Sequence, residues 1–335
     1  FLEGKSLEYA NFDHDWWLSD MYSRFSIAGK LYGFLGDASL SLYKDMSVIF
    51  FNKRIWDEFK APDPYELVHS NEWTLDKFIA TCSGMSKDLN GDGNYTLEDD
   101  QLSFLAERVP AGTFQTDLEL RMVELDKNGT PQYLGLTERF QTAYEKLQKF
   151  YSGDDMITMY SIDDHTYKTM KTFAEGRVAT MVNFIYSTEY MRDMKDDYGI
   201  VPVPKFDENQ ENYITITSFP YSLYGIPKDA KDPDMSSAVM ELLGAEGYKT
   251  VSPALFEIAL KVKYSSDDNA AKIYDIIKGS ISYDFGRVFT DSIDGSLCME
   301  FRAMLQRNKS GWASDMASLI PAFEAGLEKL LEKFK

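Results

Sequence analysis

Histidine and cysteine are scarce in this 335-residue chain, which contains three histidines and two cysteines. Because His14, His69 and His165 are isolated from one another in sequence, they do not predict a histidine-based metal site. Cys82 lies on the apolar face of a predicted helix, far along the chain from Cys298. We therefore expect free, buried thiols in preference to a disulfide bridge.

Basic residues are too few to balance the acidic ones. The chain has 35 lysines and arginines against 54 aspartates and glutamates, which gives a net charge of −19. A surface of this sign repels the phosphates of nucleic acids and of anionic membranes. The chain also lacks any apolar run of about 18 residues, the length that a membrane-spanning helix requires. We therefore expect neither a nucleic acid partner nor a membrane span.

Catalytic motifs are missing as well. The sequence contains no Gly-x-Ser-x-Gly elbow, no glycine-rich phosphate loop and no cysteine–histidine nucleophile pair. Acidic residues are numerous enough for the carboxylate pair of a glycoside hydrolase, but none lies in a distinctive motif. We expect a protein that is not an enzyme, and a glycoside hydrolase remains an alternative.

Aromatic residues, by contrast, are abundant, with 21 tyrosines, 22 phenylalanines and 5 tryptophans. A chain of this length exceeds the size of one ordinary core, so two domains are expected, with some rings exposed in a cleft. Pyranose sugars have apolar faces and hydroxyl edges, which fit an aromatic platform flanked by polar groups. Each ring could equally be ordinary core. The rings beside predicted loops or element ends are Trp16, Trp17, Tyr186, Phe219, Tyr221 and Trp312, and the candidate polar groups are Asp37, Asn183 and Ser218.

The most specific local motif is the calcium-loop pattern over residues 88–99. Gly93 stands at the sixth position, where the loop must turn sharply, and Asp99 replaces the usual glutamate at the twelfth. The motif occurs once, so a structural calcium ion is expected instead of a paired sensor; the alternative is a surface turn that binds no metal. The predicted ligands are Asp88, Asn90, Asp92, Asn94, Thr96 and Asp99.

Strand and helix patterns alternate along the chain, which predicts an α/β protein. Continuous or alternating apolar runs predict strands, and apolar residues at helical spacing predict helices. The prolines in 198–204 restrict that strand to a sheet edge or to a strand end. Strands are predicted at 29–35, 48–52, 179–183, 198–204 and 221–227, and helices after Thr74 and at 140–151, 167–173, 232–247, 268–279 and 319–334.

Several segments, taken in order, resemble the family 1 extracellular solute-binding proteins of ABC importers, the group that contains maltose-binding protein. The resemblance extends over essentially the whole chain and is closest to the larger lipoproteins of Gram-positive bacteria. The segments that carry it are GKLYG at 29–33, VIFFNK at 48–53, EWTLDKF at 72–78 with KDLNGDG at 87–93, FAEGRVATM at 173–181 and YGIVPVP at 198–204.

This resemblance implies a two-lobed, periplasmic-binding-protein-like fold of type II, with the lobes interleaved in sequence. Lobe 1 would comprise residues 1–37 and 222–289 and would be incomplete, because members of the family begin with further strands that are missing here. Lobe 2 would comprise residues 38–221 and 290–335, with the calcium loop at 88–99. The family also implies an extracellular protein, anchored by an N-terminal lipid that is absent from this chain.

The resemblance further implies a ligand held between the lobes and closed in by hinge motion. Asp37 and the segment 217–221 would be the two crossovers, and Tyr186 a sugar-stacking ring. The implied function is capture of a carbohydrate, an oligosaccharide, for ABC permease subunits by a monomeric protein. Alternatives are a peptide or another polar solute as ligand, or a calcium-dependent docking module. The expected ligand-binding residues are Asp37, Tyr186, Asn183, Phe219, Tyr221, Trp312 and Trp16.

Overall fold

The computed structural model describes residues 1–153, 156–159, 165–218, 222–256, 268–293, 296–307 and 311–334. Seven strands lie in these ranges: β1 Ser47–Asn52, β2 Leu102–Glu107, β3 Val123–Leu125, β4 Pro131–Tyr133, β5 Met156–Met159, β6 Val178–Phe184 and β7 Tyr198–Val201.

The same ranges contain 14 α-helices and four short helical turns. The helices are α1 Met21–Phe25, α2 Leu40–Lys44, α3 Lys53–Glu58, α4 Pro64–His69, α5 Leu75–Cys82, α6 Arg108–Ala111, α7 Phe114–Asp117, α8 Glu138–Tyr151, α9 His165–Ala174, α10 Pro233–Glu246, α11 Asp268–Gly279, α12 Phe285–Val288, α13 Ser296–Arg307 and α14 Trp312–Glu332. Gly4–Ser6, Ile185–Glu189 and Thr290–Ser292 form 3₁₀ turns, and Gly247–Val251 forms a π turn after α10.

A five-stranded mixed sheet, in the order β5-β2-β6-β1-β7, forms the larger body of the molecule. Strands β2, β5 and β6 are parallel, whereas β1 runs antiparallel to both β6 and β7. Every residue of β1 and β6 is buried, which confirms the strands predicted at 48–52 and 179–183. Strand β7 lies at the edge and stops before Pro202, as expected from a residue that has no N–H to donate.

Helices pack on this sheet, and aromatic side chains form the core between them. The ring centroid of Phe104 on β2 lies 5.7 Å from Phe78 of α5 and 5.0 Å from Phe150 of α8, and all three side chains are buried. The helix predicted after Thr74 is present as α5, and Thr74 is its N-cap, because its side chain accepts a hydrogen bond from the backbone N–H of Lys77. The apolar spacing of these helices therefore matches the faces that they bury.

The N-terminal segment pairs with the chain that follows residue 222. Leu2 donates its backbone N–H to Ile226 over 2.7 Å, and Phe34 and Tyr224 exchange a pair of backbone hydrogen bonds. The strand predicted at 29–35 is wrong, because in the described chain these residues form only isolated bridges. A β-ladder needs successive residues paired with a neighbouring strand, and here only Lys30 and Phe34 form bridges, neither of them to a strand.

Helix α11, which we assigned to lobe 1, packs against β7 and α4 of the larger body. The boundary predicted at residue 289 stays a prediction.

Cys82 is a free, buried thiol, as expected, and burial raises its pKa to about 12. The side chain of Cys298 lies outside the described part. None of the described helices combines the length and the apolar character needed to cross a membrane.

Candidate functional site

A cavity of about 590 Å³ opens between the N-terminal segment and the last turn of α11. Its volume lies within the roughly 300–1,000 Å³ that small-molecule sites typically occupy. Among the described residues, aromatic rings and carboxylates share its walls with a single lysine. The lining residues are Phe12, Asp13, His14, Asp15, Trp16, Trp17, Leu18, Ser19, Asp37, Tyr43, Tyr248, Asp275, Lys278, Gly279 and Ile281.

The N-terminal wall is held by one carboxylate of α10, that of Glu241. It lies 2.5 Å from Nδ1 of His14 and accepts the indole N–H groups of Trp16 and Trp17 over 3.2 and 3.0 Å. The backbone N–H of Asn11 donates to the same carboxylate over 3.2 Å. Four contacts to one side chain fix the position of the tryptophan pair, and the indole of Trp16 is left half-exposed to the cavity.

Asp37 connects this wall to the floor of the cavity. Its backbone N–H donates to the carbonyl of Trp16 over 2.9 Å, and its carboxylate accepts the hydroxyl of Ser252. Burial, followed by the charge and hydrogen bond of Asp37, raises the pKa of Tyr43 above its usual range. The carboxylate of Asp37 is therefore hydrogen-bonded to protein groups in this structure, and it holds the ring of Tyr43 in place.

The opposite wall is the last turn of α11 and the residues after it. Ile281 is fixed to the larger body, because Thr215 donates its N–H to Ser280 over 2.9 Å and accepts that of Ser282 over 3.1 Å. Lys278 reaches from this turn into the cavity. The two walls thus belong to segments more than 200 residues apart in sequence.

Trp16 and Asp37 are the two predicted ligand-binding residues that the structure brings together at this cavity. Phe219 and Tyr221 lie outside the described residues. Tyr186 is half-buried on the 3₁₀ turn after β6, with its ring 5.9 Å from that of Phe184, and it does not line the cavity.

Asn183 and Trp312 are placed in the core and away from the cavity. Asn183 is fully buried in β6, where its side-chain oxygen accepts the N–H of Phe184 over 2.9 Å. Trp312 opens α14 and packs 4.8 Å from the ring of Tyr144 on α8. Both side chains are buried, and neither lines the cavity.

The cavity is also lined by four residues that the sequence patterns did not indicate: Tyr43, Tyr248, Asp275 and Lys278. Lys278 lies in the last turn of α11, at a helix end where the backbone dipole favours a cation, and that was the only local signal available. Their meeting depends on tertiary packing, which no sequence spacing reveals.

The predicted calcium loop forms a series of tight turns closed by its own side chains. The carboxylate of Asp88 accepts the N–H groups of Gly91 and Gly93 over 2.6 and 2.8 Å. Asp100, beside the predicted ligand Asp99, accepts N–H groups from both ends of the loop, and these backbone hydrogen bonds lower its pKa. Among the described residues, no three histidine, cysteine or acidic side chains gather closely enough for a metal site. Calcium binding therefore stays a prediction.

Comparison with protein families matches residues 5–249 to the bacterial extracellular solute-binding proteins. No curated protein matches the chain. Among solved structures, UgpB of Mycobacterium tuberculosis, in complex with glycerophosphocholine, is 14% identical with a TM-score of 0.60, covering 94% of this chain and 75% of that one. The sugar-binding protein MalE of Xanthomonas citri is 14% identical with a TM-score of 0.60, covering 93% and 76%.

A third structure, the GacH receptor of Streptomyces glaucescens, known with and without acarbose, is 14% identical with a TM-score of 0.56, covering 97% of this chain and 80% of that one. At such low identity these similarities concern the fold, which is that of the two-lobed periplasmic binding proteins. The family match, in contrast, extends over more than half of the sequence. The chain therefore belongs to the bacterial extracellular solute-binding proteins.

Proposed function

We propose that this protein captures an oligosaccharide outside the cell and passes it, unaltered, to the permease subunits of an ABC importer. The observation that carries the proposal is the cavity, where the half-exposed indole of Trp16 stands among aspartates. An indole face packs against the apolar C–H face of a sugar, and carboxylates accept its hydroxyl hydrogens. A cavity wall that combines aromatic rings with carboxylates therefore suits an oligosaccharide.

Two of the three relatives support a hydroxyl-rich ligand, whereas the third binds a phosphodiester. The Xanthomonas MalE is a sugar-binding protein, the Streptomyces receptor binds acarbose, and the mycobacterial UgpB binds glycerophosphocholine. Binding without turnover fits the same picture, since release of an intact ligand is what a permease needs. We propose that the protein works as a monomer, carries a structural calcium ion at 88–99 and is tethered to the membrane by lipid.

Isothermal titration calorimetry against a panel of neutral oligosaccharides tests the proposal. The wild-type protein should bind at least one of them, and Trp16→Ala should weaken that binding by about tenfold or more, because a stacked ring is lost. Tyr9→Ala is the matched control: Tyr9 is an exposed ring of the same segment that does not line the cavity. Binding of peptides alone, or hydrolysis of the bound glycan, would contradict the proposal.

A further inference from the structure

Lys278 is the one lysine among the described residues that line the cavity, and its ammonium lies among aromatic rings. Its Nζ is 5.4 Å from the ring centroid of Tyr43, 5.7 Å from that of Tyr248 and 5.1 Å from that of Phe256. At these distances the electron-rich ring faces attract the charge. The side chain is half-buried, so its position is defined by packing as well as by charge.

This ammonium has no acidic partner in the part of the chain that the structure describes. Its isolation is notable in a protein with a net charge of −19, four of whose aspartates line the same cavity. The carboxylate of Asp37 is already engaged by Ser252 and Tyr43. The N–H groups of Lys278 are therefore available to a bound molecule.

The rings also hold the lysine in a fixed place. Tyr43 is tied to Asp37 and meets the ring of Phe256 edge-on, at 5.2 Å and 82°. Lys278 itself extends from the last turn of a 12-residue helix. A donor that is already oriented loses less conformational freedom when the ligand arrives, so its hydrogen bonds contribute more to affinity.

We propose that Lys278 is a ligand-binding residue, whose ammonium donates to an oxygen of an uncharged saccharide. The inference rests on the proposed function. Among the described lining residues, four aspartates stand against one lysine, an excess of negative charge that disfavours an anionic sugar. The hydroxyl groups of a neutral sugar can accept from Lys278 and donate to the aspartates at the same time.

The test is calorimetry with a neutral oligosaccharide and with its uronic acid counterpart, using wild type, Lys278→Met and Lys272→Met. Methionine keeps the apolar stem of the lysine and removes the charge, and Lys272 is an exposed lysine of the same helix that does not line the cavity. Wild type should prefer the neutral sugar. Lys278→Met should lose about tenfold or more in affinity, and Lys272→Met less than about twofold.

Equal affinity of wild type and Lys278→Met would overturn this inference and leave the proposed function intact, as would a preference of wild type for the uronic acid sugar. Absence of saccharide binding by wild type would overturn both the inference and the proposed function.

Acetylation of the wild-type protein, read by mass spectrometry, gives a second measurement that needs no variant. Saturating ligand should slow the modification of Lys278 and not that of Lys272; equal rates with and without ligand at Lys278 would contradict the inference.

Discussion

Trp17 donates its indole N–H to the carboxylate of Glu241 over 3.0 Å, although the two residues are 224 positions apart. The bond ties the N-terminal segment to α10 and is buried at its tryptophan end. Because the same carboxylate also contacts His14 and Trp16, one residue outside the cavity sets the shape of the cavity wall.

Glu241→Ala should lower the free energy of unfolding by about 1–3 kcal/mol, because the buried indole N–H of Trp17 would lose its acceptor. Urea unfolding followed by tryptophan fluorescence measures this. Glu246→Ala, a change of an exposed glutamate on the same helix, should cost less than about 0.5 kcal/mol. Equal effects of the two substitutions would contradict the role of Glu241.

Gly247→Ala should be destabilising, because the new Cβ would lie 1.9 Å from the carbonyl oxygen of Asp37, where backbone cannot yield easily. We expect a loss of about 1–3 kcal/mol or more, measured as a fall in Tm. Gly279→Ala is the control, since a Cβ there meets no atom within 4 Å although the residue lines the same cavity. A Gly247→Ala protein as stable as the control would show that the contact with Asp37 is looser than described.

Asp117 should make stability depend on pH. Burial raises the pKa of its carboxyl from 3.8 to about 8, against the opposing hydrogen bonds from Ile216 and Ser47. A raised carboxyl pKa contributes stability that is complete below the unfolded value, near pH 4, and is lost as the pH rises through about 8.

The isosteric Asp117→Asn has no such titration, so wild type should lose stability relative to it between about pH 4 and pH 8, by up to about 1.4 kcal/mol per unit. Urea unfolding of both proteins across this range measures the difference. A difference that stays constant with pH would show that Asp117 does not titrate in this window.

Calcium should stabilise the protein if residues 88–99 form the predicted site. Saturation at about 100 times the dissociation constant corresponds to roughly 2.7 kcal/mol, seen as a rise in Tm. Asp88→Ala should abolish the rise. Asp126→Ala should not, because Asp126 caps a similar turn outside the motif, through the N–H groups of Asn128 and Thr130. A Tm unchanged by calcium in wild type would leave 88–99 as a surface turn.

The sequence predicted three of the five strands of the main sheet, β1, β6 and β7, and did not predict β2 and β5. Every side chain of β1 is buried, and an apolar run bounded by polar residues is enough to indicate such a strand. Residues 29–35 also carry a strand-like pattern, an alternating one, but form only isolated bridges, from Lys30 to Ile27 and from Phe34 to Tyr224. A strand requires a partner, and the pattern of one segment does not show whether a partner exists.

The site was predictable only in part. Trp16 and Asp37 stood out as a ring and a carboxylate beside predicted loops, and both line the cavity. Trp312 stood out for the same reason, but it begins a helix and packs on Tyr144 in the core. Lys278 gave no signal beyond its place in the last turn of a helix, because its environment is assembled from rings of distant segments.

Hydrogen–deuterium exchange with and without a saturating neutral oligosaccharide tests the central claim most directly, because it locates the bound ligand on the chain. If the cavity is the binding site, exchange should slow in residues 12–19 and 275–281, the two walls. Ligand binding that leaves both segments unprotected and slows exchange elsewhere would contradict the account.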